Sequence, residues 1–100
     1  MGRLLELMVE ISFNLNIFIG TNMTNIEKYK KLFSEAFEIE ISTVESLEYE
    51  SIPAWDSVGH MVLVAALEGG FDIMLEMDDI IDFSSFEKGK EILKGYDIIL

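Results

Sequence analysis

The chain has 100 residues, half of them hydrophobic, with nineteen acidic side chains against seven basic ones and a formal net charge of −12. That length supports one domain with a single core, and so anionic a surface repels phosphate backbones and anionic lipid head groups, which argues against nucleic acid as a partner. The absence of cysteine removes disulfides, thiolate metal sites and cysteine nucleophiles, and the expected compartment is the reducing cytoplasm.

Residues 1–22 carry two conflicting periodicities. Leu4, Leu5, Leu7, Met8 and Ile11 have helical spacing, whereas Ile11, Phe13, Leu15, Ile17 and Ile19 alternate as a strand does. With Arg3 as the one basic residue and Glu6 and Glu10 breaking the apolar run, the segment fits neither a signal peptide nor a membrane span. The expectation is a leader or extension over 1–22 and a domain over 23–100; a strand or helix docked on that domain is the alternative.

From Thr24 the signals agree. Thr24 and Glu27 have capping-box spacing, and Ile26, Tyr29, Leu32, Phe33, Ala36 and Phe37 recur at intervals of three and four, which predicts a helix over 25–38. Between Ile39 and Asp56 the pattern lapses among acids and serines and meets Pro53. This is a long loop pinned by Ile41, Val44, Leu47 and Ile52, with a helical turn inside it or a function of its own. A second helix is expected from Ser57 to Glu68, stopped by Gly69-Gly70. Phe71 and Ile73 then return to the core, 78–83 forms a short helix, and Ser84 with Glu87 opens a last helix running to Gly95.

The fold class is therefore all-α, with four helices, the third short, and a long first loop. The expected core is Ile26, Leu32, Phe33, Phe37, Leu63, Ala66, Leu67, Phe71, Ile80, Phe83, Phe86 and Leu93.

Asp56-Ser57 stands where the second helix begins. Taken alone, the pair reads as a helix cap worth about 1 kcal/mol. Serine hydrolysis finds no support, because the single histidine, His60, lies three residues on in the same helix, and neither a third triad member nor a strand-to-helix elbow surrounds it. A serine modified by another enzyme fits better, since the positive end of a helix dipole favours an attached phosphodiester.

The run Trp55 to Phe71, WDSVGHMVLVAALEGGF, resembles the attachment site and second helix of acyl carrier proteins and of related aminoacyl and peptidyl carriers, and the likeness extends over about 26–96. It implies a four-helix bundle of acyl-carrier type and 4′-phosphopantetheine, derived from coenzyme A, joined covalently to Ser57, with Asp56 as motif residue and helix cap. It further implies no catalytic activity of the chain's own. The partners would be a phosphopantetheinyl transferase and the enzymes that load and process acyl or aminoacyl groups, met by a monomer. The chain departs from fatty-acid carriers in that Val58 replaces the leucine usual after the serine, and Gly59, Val62 and Gly69 stand where acids are common. That pattern suggests a specialised carrier.

Met61 to Leu67 are all apolar, so part of this helix must face solvent. In the plain reading Ala65 and Ala66 lie inward and a few valines sit at the surface. In the sharper one Val58, Met61 and Val62, with Glu68 at the helix end, meet a partner beside Ser57. His60 is expected to face solvent and Trp55 to pack under the loop. Asp78, Asp79 and Asp82 lack the glycine and glutamate of a calcium loop and read as a solvated acidic face. The competing class is a helical adaptor in which Asp56-Ser57 is only a cap.

Overall fold

A computed structural model describes residues 23–100, so the expectations for residues 1–22 lie outside the described residues. Among the described residues the chain is mostly helical. It forms α1 (Asn25–Phe37), a 3₁₀ helix (Ile41–Ser46), α2 (Ser57–Phe71), α3 (Met77–Asp82) and α4 (Phe86–Lys94). None of these helices is long and apolar enough to cross a membrane.

The start of α1 is the capping box that its spacing predicts. Glu27 N donates to the Thr24 hydroxyl at 3.2 Å and Thr24 N donates to the Glu27 carboxylate at 2.9 Å; that backbone N–H, with the Thr24 hydroxyl, holds the Glu27 carboxyl below the usual range. The long connection contains a helical turn, the first of the two alternatives. Val44 and Leu47 bury themselves and seat the 3₁₀ helix, whereas Ile41 is 48% exposed and pins nothing. An isolated antiparallel bridge between Glu48 and Ser85 then ties the connection to the start of α4, through Tyr49 N to Ser84 O at 2.8 Å and Phe86 N to Leu47 O at 3.0 Å.

Two helix ends differ from expectation. α2 continues through Gly69-Gly70 and stops at Asp72, which adopts the left-handed conformation at φ 56°. A glycine inside a helix costs only about 1 kcal/mol, and Gly70 repays that locally. A Cβ there would lie 2.6 Å from Leu32 Cδ1, so the glycine makes room for the Leu32 side chain of α1, and Lys28 Nζ donates to Gly70 O at 2.8 Å. At the other end of the chain, Ser85 and not Ser84 caps α4, accepting from Lys88 N at 2.9 Å. Ser84 is occupied in the bridge, where its carbonyl receives Tyr49 N.

Phe33 is fully buried at the centre of an aromatic core. Its ring centroid lies 5.0 Å from Tyr29, 5.2 Å from Phe86, 5.6 Å from Trp55, 6.0 Å from Phe37 and 6.2 Å from Phe83. Tyr29 joins this core through its hydroxyl, which donates to Phe86 O at 2.8 Å; burial, aided by the nearby Glu87 carboxylate, pushes its ionisation well above the ordinary tyrosine value. Of the expected core, Phe33, Phe37, Leu63, Leu67, Phe83, Phe86 and Leu93 are buried, while Ile26, Leu32, Phe71 and Ile80 pack against it half-covered. Ala65 is exposed and Ala66 half-buried, because Val64 takes the inward position on that turn.

Candidate functional site

The loop that leads into α2 is held from beneath. Trp55 is fully buried, its ring 5.2 Å from Phe37 and tilted against it, and its backbone closes two turns, with Trp55 N donating to Ile52 O at 3.1 Å and Glu50 N to Trp55 O at 2.9 Å. Asp56 follows in an extended conformation and caps α2, its Oδ1 accepting from Gly59 N at 2.8 Å. Ser57 is the first helical residue and is exposed. Gly59 has a steric reason for its identity, since a Cβ there would drive into the Ala54 carbonyl. The loop and the first turn of α2 therefore touch backbone to backbone, which fixes where the Ser57 hydroxyl sits.

The structure brings Asp56, Ser57, Val58, Met61 and Val62 together. Val58 is 72% exposed, Met61 52% and Val62 47%. Glu68 does not join them. It lies eleven residues beyond Ser57, about 16 Å along the axis at 1.5 Å per residue, and its Oε2 accepts from Leu75 N at 2.9 Å. That carboxylate shapes the turn after α2.

His60 faces inward, contrary to the solvent-facing position expected for it. It is half-buried, with Trp55 Nε1 2.9 Å from its Nδ1 and Ile80 O 2.7 Å from its Nε2. An indole nitrogen can only donate, so Nδ1 is the acceptor and Nε2 carries the hydrogen given to Ile80 O. With both nitrogens committed, His60 in this arrangement is no base for Ser57. Sequence reasoning missed this role, although a signal was present: a buried Trp needs an acceptor for its N–H, and His60 is one turn away on the adjoining helix.

Beside the serine lies a cavity of about 500 Å³, lined by Ser57, His60 and Met61 of α2, Ile80 and Ile81 of α3, and Tyr49, Phe83 and Ser84. No charged side chain lines it, although the chain is strongly anionic. Of the α3 acids, Asp78 and Asp82 are exposed, as expected of a solvated face, whereas Asp79 is half-buried and accepts from the Tyr96 hydroxyl at 2.5 Å, so it is not part of that face. Among the described residues no cluster of side chains is arranged to hold a metal ion.

The arrangement offers an accessible hydroxyl at the positive end of a fifteen-residue helix, where an attached anion is favoured by about 0.3–1 kcal/mol, next to an uncharged cavity. No family model matches the chain, and no curated protein or solved structure matches it.

Proposed function

We propose that the chain is a carrier domain of acyl-carrier type, a four-helix bundle whose Ser57 bears 4′-phosphopantetheine transferred from coenzyme A by a separate enzyme. The group would supply a thiol that holds acyl or aminoacyl intermediates as thioesters. Asp56 fixes the helix start, the α2 dipole stabilises the phosphodiester oxygen charge, and the cavity gives the arm or its cargo an uncharged surface to lie against. Val58, Met61 and Val62 form the apolar surface on which the transferase and the processing enzymes dock.

The observation that carries this reading is the division of labour at 56–57. The cap bond belongs to Asp56, so the helix start has no need of the Ser57 hydroxyl, which stands exposed at the dipole's positive end. If the pair were only a cap in an adaptor, replacing Ser57 would change nothing. Incubation with coenzyme A, magnesium and a broad-specificity phosphopantetheinyl transferase should add one phosphopantetheine to the wild type by intact mass, and none to Ser57→Ala, whose far-UV circular dichroism and melting stay those of the wild type. A folded, initially unmodified wild type that gains no mass, also with a transferase from its own source, would sink the carrier reading in favour of the adaptor.

A further inference from the structure

The helix α3 is only lightly packed, with Ile80 alone resting half-covered against the core. Its six residues include none that is buried, and a helix of that length is unstable alone. Two anchors come from the C-terminal segment and act on its first turn: the Tyr96 hydroxyl donates to Asp79 Oδ2 and accepts from Glu76 N at 2.9 Å. The third comes from α2 and acts on its last turn. Ile80 O receives Phe83 N at a long 3.4 Å, whereas His60 Nε2 reaches it at 2.7 Å. The imidazole that makes this bond is itself fixed. It lies parallel to the Trp55 indole within 14° at 6.1 Å, takes the Trp55 N–H at Nδ1, and meets the edges of Tyr49 and Phe83 at 5.6 and 6.4 Å.

Trp55 immediately precedes Asp56-Ser57, so one unbroken series of contacts runs from the core through His60 to α3. We propose that His60 is a positioning residue that locks α3 against α2 beside Ser57, so that the modified serine and the exposed Ile81 and Met77 of α3, each 70% exposed, are presented to a partner enzyme in one fixed relation. The presentation to a partner rests on the carrier reading; the anchoring of α3 does not. The tautomer makes a sharp demand. The bond that matters for α3 is the Nε2–H donor, and the Nδ1 acceptor matters only for orienting the ring.

Three substitutions separate these parts. His60→Gln keeps a donor at the Nε2 position, His60→Asn keeps an acceptor at the Nδ1 position, and His60→Phe keeps neither. Hydrogen exchange of the α3 amides should speed up by about tenfold in His60→Phe and in His60→Asn, the effect of losing one hydrogen bond from a local unit, with α1 and α4 unchanged as internal controls. In the transferase assay both should raise KM for the protein several-fold with kcat within about twofold, and His60→Gln should restore both readouts towards wild type. A His60→Gln as impaired as His60→Phe, or unchanged exchange and KM in His60→Phe on a wild type that is modified, overturns the role of His60 alone. A wild type that gains no phosphopantetheine overturns the presentation to a partner along with the carrier reading, and the exchange arm still decides the anchoring.

Discussion

The two halves of this molecule handle charge in opposite ways. Every lysine of the described residues lies on α1 or α4, and most are engaged: Lys30 with Glu45 at 2.7 Å, Lys90 with Glu87 at 3.3 Å, Lys31 with Glu35 at 3.9 Å, and Lys28 with Gly70 O. Between Lys31 and Lys88 there is no lysine or arginine at all, and fourteen of the nineteen carboxylates fall in that stretch. It contains the whole of α2 and α3, whose surface combines exposed Val58, Met61, Val62, Met77 and Ile81 with acids. Pairs on the lysine side are worth a few tenths of a kcal/mol each and close that side on itself. Outside those pairs, α2 and α3 leave exposed apolar side chains and the exposed Asp78 and Asp82, with no lysine partner among the described residues. A partner covering that side needs an apolar centre and a cationic rim.

α2 starts at the site and ends against Lys28, so a glycine near each of its ends tests the two halves, with the largest effect expected at the site. Gly59→Ala forces a methyl onto the Ala54 carbonyl and should destabilise by about 1–3 kcal/mol. Gly69→Ala, with nothing within 4 Å of the new atom, should stabilise by about 0.5–1 kcal/mol. Urea denaturation of the two variants reads both, and equal shifts would mean that the loop does not press on the first turn.

A smaller effect is expected from charge placed on each half. Val58→Lys with Val62→Lys should raise KM for the transferase about tenfold, the cost of losing one good apolar contact pair, whereas Lys88→Glu with Lys94→Glu on α4 should change it by less than twofold at fixed ionic strength. A greater effect from α4 would reverse the assignment of faces.

The smallest effect at neutral pH concerns the lysine-bearing half, where Tyr29 is buried beneath α4. Its ionisation is raised in the folded state, so the folded protein holds that proton more tightly than the unfolded chain. The contribution is fully present below pH about 10, the ordinary tyrosine value, and is lost above it at up to about 1.4 kcal/mol per pH unit. Tyr96, raised by desolvation and by its bond to Asp79, acts in the same direction. Tyr29→Phe should flatten the alkaline limb of a pH–stability curve; an unchanged limb would remove Tyr29 as its cause.

What was legible in the sequence followed from local rules. The capping box at Thr24, the helical stripe of α1 and the Asp56 cap each need only residues within one turn, and the structure has all three. What was hidden depended on contacts across the chain. Gly69-Gly70 resembles a stop signal until Leu32 and Lys28 are seen against it. Ser84 resembles a cap until its carbonyl is taken by Tyr49, 35 residues earlier. Glu68 resembles a surface acid until Leu75 N binds it. His60 resembles a solvated helix residue, because helical spacing says which residues share a face but not that α3 will fold back over this one.

The single tryptophan of the chain is Trp55, buried, hydrogen-bonded to His60 and two residues from Ser57. The protein thus carries its own fluorophore at the place where modification, cargo and partners would act. Indole emission responds to burial and to the loss of an N–H bond, so one unlabelled sample can be followed in real time as the serine is modified, as α3 loosens, or as an enzyme docks.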